Sequence, residues 1–146
     1  MMKNIAILGV VVGGIVDIVL STLTGIIFVA IWASNHSSEF SGLPKAQMAD
    51  YVKNALENNP MLYGTMFFLG SFCSIVGGYV AARIAKKSEL LNGACAAWLC
   101  ILIGIYGLFT GGHSPILTMI TIPLSAALGA IGGWLRQRQT GKLLKL

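Results

Sequence analysis

Acidic residues are nearly absent from this chain. Five carboxylates stand against ten lysines and arginines in 146 residues. Only one of them, Asp17, falls inside a long apolar run. With 10% charged and 55% hydrophobic residues, the chain lacks the polar surface that a soluble domain of this size needs. Histidine is equally scarce: His36 and His113 are the only two. With Glu39 they make a poor metal set, because distant loop residues rarely converge on one ion. The three cysteines include no CxxC. Cys73, Cys95 and Cys100 all lie in apolar runs, and Cys95 and Cys100, five apart, do not share a helical face. They read as small, polarizable packing residues. The chain also has no nucleophile–base pair, glycine-rich phosphate cradle or HExxH. An intramembrane aspartyl protease needs two aspartates, and this chain has one at membrane depth. The expectation is a non-enzymatic protein with no cofactor and no bound metal.

Apolar runs are plentiful. A helix needs about 20 apolar residues to cross the hydrocarbon core, and four runs reach that length: 5–32, 61–82, 91–109 and 116–135. The first is about twice as long as the core of a cleavable signal, so it is read as a retained helix. No stretch is left for a separate soluble domain, and residues 1–146 are read as one transmembrane domain. Between the first two runs, residues 44–57 place Met48, Val52 and Leu56 four apart, with Lys45, Asp50, Lys53 and Glu57 elsewhere on the wheel. This predicts a short amphipathic helix lying outside the membrane. Asn59-Pro60 reads as an N-cap followed by proline at the first helical position. The connections 83–90 and 110–115 are short, with Gly111 and Gly112 in the second, so sequential helices should be antiparallel. The fold class expected is all-α: a polytopic, antiparallel four-transmembrane-helix bundle. Pro123, inside the last run, frees the carbonyl of Met119 and predicts a kink.

Positive charge is distributed unevenly. Lys3, Arg83, Lys86, Lys87, Arg136, Arg138, Lys142 and Lys145 fall on one side of the predicted membrane, and Lys45 and Lys53 on the other. By the positive-inside rule both termini are cytoplasmic. Such a cluster also attracts anionic lipid, at about 1 kcal/mol per basic residue, which makes the bilayer and its anionic lipids the expected partners at that face. The basic residues are split among membrane edges and have no aromatic platform, which argues against nucleic acid.

Small residues recur every fourth position. The first span carries Gly9, Gly13, Asp17, Ser21 and Gly25, and the second Gly70, Ser74, Gly78 and Ala82. The third has Ala96, Cys100 and Gly104, and the fourth Ser125, Gly129 and Gly133. Lipid supplies no hydrophobic drive between helices, so association depends on the close approach that small residues permit. "VGGYVAAR" and "IGGWLRQR" form a faint repeat that packing and an interfacial anchor explain without duplication.

Asp17 breaks the pattern of uncharged residues. It lies roughly 18 Å into the first span at 1.5 Å per residue, near the midplane. A carboxylate there costs about 2.5 to 3.5 kcal/mol, so it should face the interior and find partners. Ser21, Ser71, Ser74, Cys100, Thr121 and Ser125 are the polar candidates at matching depth. None is basic, so a neutral carboxyl donating to a hydroxyl or to the Met119 carbonyl is the expected state. Two roles follow. In the first, Asp17 is an interhelical clasp. In the second, it is a proton or cation site, or a contact for another protein's membrane helix.

The hairpin "GGYVAARIAKKSELLNG" resembles a pattern found in small four-transmembrane-helix bacterial membrane proteins, where GGYxAAR precedes a basic turn and the next helix opens on Leu-Leu-Asn-Gly. The resemblance covers about residues 70–110 and omits Asp17. It implies a multi-pass protein of the prokaryotic inner (plasma) membrane, and no activity. The leading expectation is an interaction or accessory subunit that packs through its glycine seams against its own copies or a larger membrane protein. An inhibitor of a membrane-active toxin would be one form of it. The alternative is a small homo-oligomeric channel or proton-coupled transporter using Asp17.

Overall fold

The structure, a computed structural model, describes residues 5–40, 42–109 and 115–143. These residues form helices and no strand. The elements are α1 (Ile7–Asn35), α2 (Ser37–Phe40), α3 (Lys45–Asn58), α4 (Pro60–Ala85), α5 (Glu89–Cys95), α6 (Trp98–Phe109) and α7 (Pro115–Leu143). Four stretches are long and apolar enough to cross a membrane: Ile7–Asn35, Pro60–Ala85, Glu89–Phe109 and Thr118–Gly141. Each covers most or all of an expected run and extends beyond it in at least one direction, because helix geometry continues through the interfacial residues that a hydropathy criterion trims away. Lys3, Lys145 and residues 110–114, with Gly111, Gly112 and His113, lie outside the described residues, as do the side chains of Lys45, Leu56, Glu57 and Lys142.

Three local features bear on the expected elements. The 91–109 run divides at Ala96–Ala97, where Ala96 N–H reaches the carbonyls of Asn92 and Gly93, and Ala97 N–H bonds to Ala94. Bonds to the third residue back tighten the turn and interrupt the α-helix. α7 runs unbroken through Pro123. The segment after α1 contains the single turn of α2. The amphipathic helix is present as α3. Asn59 caps α4 as expected: its Oδ1 accepts from Met61 N–H at 3.1 Å and Leu62 N–H at 3.2 Å, while Pro60 occupies the first position, where no donor is needed.

The chain divides into two compact units, Met1–Leu20 with Ser71–Leu146, and Ser21–Gly70. In the first, the buried hydrophobic residues are nearly all small: Ala81, Ala82, Ala85, Ala96 and Ala97, with Cys73 and Val10. Large side chains such as Phe72, Tyr106 and Ile120 are exposed. This inverts a soluble core, as expected where lipid is the solvent and backbone proximity holds helices together. The second unit consists of the C-terminal half of α1, then α2, α3 and the first turns of α4. Most of its α1 and α4 side chains are exposed or half-exposed.

Candidate functional site

The first unit is assembled around three glycine pairs. Consecutive helical residues point about 100° apart, so a pair can receive two neighbours at once. A methyl group on Gly13 would lie 2.6 Å from both Ala81 Cβ and the Gly77 carbonyl oxygen on α4, and one on Gly14 would lie 3.0 Å from the Ala96 carbonyl oxygen. Gly77 faces Asp17 and Gly13 of α1, whereas Gly78 faces the Gly129 backbone of α7. Gly132 meets Ile75, Gly78 and Tyr79 of α4, and Gly133 meets Glu89 and Leu90 of α5. The two halves of the faint repeat therefore pack against each other. Gly9, Gly13, Gly78, Gly129 and Gly133 lie in tight interhelical contacts, as their four-residue spacing implied. Gly14, Gly77, Gly93 and Gly132 do so as well, and a four-residue stripe does not find them. For Gly14, Gly77 and Gly132 the visible signal was the doubling itself.

Gly25, Gly70 and Gly104, from the same stripes, have no such tight contact. A methyl on Gly70 would meet nothing within 4 Å, one on Gly25 would reach only Met66 Cε at 3.6 Å, and one on Gly104 only Thr118 Cγ2 at 3.6 Å. Small size allows close approach but does not bring a neighbour, so the same spacing holds helices together in one half of α1 and leaves room in the other.

Asp17 is 2% exposed and sits where α1, α4 and α6 meet. Ser74 Oγ lies 3.1 and 3.2 Å from the two carboxyl oxygens, and Cys100 Sγ lies 3.2 Å from Oδ2. Hydroxyl and thiol both donate, so in these bonds the carboxyl oxygens accept. Gly77 makes the approach possible, since a methyl there would lie 2.7 Å from Asp17 Cβ. Of the expected partners, Ser74 and Cys100 are brought to the carboxyl. Ser125 and Thr121 are not seen bonded to it: their hydroxyls turn back onto the carbonyls of Ile122 and Thr118, the common retreat of a helical hydroxyl. Met119, expected as a carbonyl partner, is an exposed residue. Ser21 belongs to the second unit, where it lines a groove.

Spacing and depth do not single out Asn92, although it stands in the hairpin motif. It is fully buried. Its Oδ1 accepts the Ala6 N–H at 2.8 Å, serving one of the orphan donors that open α1, and its Nδ2 donates to the carbonyls of Lys87 at 2.8 Å and Ser88 at 3.1 Å. One amide thereby joins the start of α1 to the α4–α5 turn. In that turn Lys86 and Ser88 adopt left-handed backbone, with φ of 53° and 42°.

Among its described residues, the second unit shows two concave regions. One, of about 350 Å³, is lined by Phe28, Ile31, Trp32, His36, Asn59 and Leu62, among others. Beside it the Trp32 and His36 rings stack at 4.9 Å, and Trp32 stacks on Tyr51 of α3 at 6.5 Å. Tyr51 OH donates to Glu39 Oε2, and the neighbouring carboxylate holds the phenol above its ordinary pKa. The other, of about 490 Å³, runs along one side of α1 over Ser21, Thr22, Gly25, Val29 and Ala33. Among the described residues, no three His, Cys, Asp or Glu side chains gather where they could hold a metal ion. Comparisons with family models, curated proteins and solved structures found no match for the chain.

Proposed function

We propose that this protein is a non-enzymatic integral membrane subunit that receives a transmembrane helix of a larger membrane protein, or of a second copy, on the C-terminal half of α1. The observation that carries this reading is the groove over Ser21, Gly25, Val29 and Ala33, whose small residues leave about 490 Å³ unfilled. In the first unit of the same chain, glycines at this spacing are filled by neighbouring helices. A helix pressed into such a groove gains van der Waals contact at backbone distance, the main source of affinity between helices in lipid. The proposed topology is an antiparallel bundle in a prokaryotic inner membrane with both termini cytoplasmic, in keeping with the distribution of lysine and arginine. The Asp17 contacts to Ser74 and Cys100 favour the clasp over an ion path.

The test is native mass spectrometry of protein extracted gently from its own membranes, with wild type, Gly25→Ile and Asp17→Asn compared. A defined hetero- or homo-oligomer that dissociates in Gly25→Ile and persists in Asp17→Asn supports the reading. A monomer in all three samples overturns it. Proton or cation flux through wild-type liposomes, abolished by Asp17→Asn, would transfer support to the channel or transporter.

A further inference from the structure

The chain forms a cavity of about 310 Å³ between the α4–α5 turn and the last turns of α7. Lys86, Lys87, Ser88 and Glu89 form one wall, and Gln137 and Thr140 the other. We propose that this cavity is a binding site for the phosphate of an anionic lipid headgroup, with Lys86 and Lys87 as its cationic ligands and Ser88 and Gln137 as hydrogen-bond donors.

Three independent observations lead there. The first is charge. Arg83, Lys86, Lys87, Arg136 and Arg138 cluster on the adjoining turns, where Glu89 is the one acidic side chain among the described residues. Glu89 Oε1 accepts the Thr140 hydroxyl at 3.1 Å, a bond that joins the two walls. The second is backbone. Lys86 and Ser88 are non-glycine residues in left-handed conformation, a state that persists only where the surroundings enforce it. The buried Asn92 amide lies under this turn, bonded to the carbonyls of Lys87 and Ser88. The turn that presents the two lysines is thus held in place from beneath. The third is depth. The cavity lies where three candidate spans end or begin, at Ala85, Glu89 and Gly141. Trp134 and Tyr79 mark the same level: the Arg138 guanidinium lies 4.7 Å from the Trp134 ring centroid, and Tyr79 OH donates to Gln139 at 2.6 Å. Amphipathic aromatics of this kind sit at the headgroup layer. A lipid phosphate reaches the cavity from that layer, whereas a free anion has to compete with every headgroup around it.

The experiment is native mass spectrometry of the full chain released from bilayer nanodiscs of phosphatidylcholine containing phosphatidylglycerol, counting retained lipid. Wild type is expected to retain phosphatidylglycerol in preference to phosphatidylcholine. At about fivefold per lysine, Lys86→Gln with Lys87→Gln should lower that retention about 30-fold, while the two lysine-to-arginine changes preserve it. Glu89→Gln removes the opposing charge and is expected to raise retention above wild type, a gain that misfolding would not produce. Lys53→Gln, on exposed α3, should leave retention unchanged. Equal retention of the two lipids, or undiminished phosphatidylglycerol in the double glutamine variant, overturns the proposal. Displacement of the lipid by millimolar inorganic phosphate would also overturn it, by making the cavity a site for free oxyanions.

Discussion

The two halves of α1 carry the same four-residue spacing of small side chains and end in different environments. In the first unit, Gly9 and Gly13 are pressed against Ala81, Ala85 and Gly77, and Asp17 is enclosed with Ser74 and Cys100. In the second, Ser21 and Gly25 floor an open groove. The difference lies in what each half faces. α4 answers the first half with its own small residues, Gly77, Ala81 and Ala85. Opposite Gly25, the nearest atom to an added methyl group would be the flexible end of Met66. A glycine seam becomes an interface only where a second seam meets it.

The largest expected effect tests the tight side of this contrast. Gly78→Val drives a branched side chain into the Gly129 backbone, which cannot rotate away as a side-chain tip can. It should destabilise the protein by about 3 kcal/mol in reversible unfolding from mixed micelles. Gly64→Ala, where a methyl meets nothing within 4 Å, should not destabilise, and alanine's helix preference should add up to about 1 kcal/mol. Equal costs at the two sites would erase the distinction between the units.

Asn92→Leu comes next. It leaves the Ala6 N–H and the carbonyls of Lys87 and Ser88 without their amide partner, at an expected cost of about 2 kcal/mol. Hydrogen exchange should accelerate at the first turn of α1 while the C-terminal half of that helix exchanges as before. Uniform acceleration along α1 would show that Asn92 does not act locally.

Asp17→Asn retains an acceptor for Ser74 and replaces a carboxyl oxygen with an amide that Cys100 or Ser74 then faces. Interhelical hydrogen bonds in membranes average about 0.6 kcal/mol, so a loss of about 1 kcal/mol is expected in the same unfolding assay. A stabilised variant would argue that the carboxyl is kept at a cost, for a purpose other than packing.

The smallest effect concerns the open side. Tyr51 donates to the Glu39 carboxylate, which favours the neutral phenol in the folded protein. Its contribution to stability is complete below the unfolded phenol's value of 10.0 and is lost as pH rises through the higher folded value. Spectroscopic titration should therefore show one tyrosine ionising late, and Glu39→Gln should return it to the ordinary range. No late-ionising tyrosine in wild type would mean that α3 does not hold this pair together in solution.

Much of the architecture is legible in sequence because lipid imposes strict terms. A spanning helix must be apolar for about 20 residues, and the four runs satisfy that by composition alone. The Asn59-Pro60 cap is equally local, since both its signals lie within the first helical turn. The division of the third run at Ala96–Ala97 is not readable this way. Neither alanine disfavours helix, and the tightened turn lies where Gly14 of α1 crosses. The Asp17 site was half legible. Depth and polarity selected Ser74 and Cys100, but the same criteria admitted Ser125 and Thr121, whose hydroxyls bond to their own helix instead.

By itself, the sequence determined that this is a chain of four membrane-length apolar helices with one buried carboxylate and an uneven distribution of positive charge, because hydropathy and charge act on each segment independently of its neighbours. Only the tertiary structure decided which glycines are contacts and which remain open, which donors reach Asp17, and that Asn92 binds the start of α1 to a lysine-bearing turn. Those outcomes depend on what stands opposite each residue, and a one-dimensional pattern does not specify that.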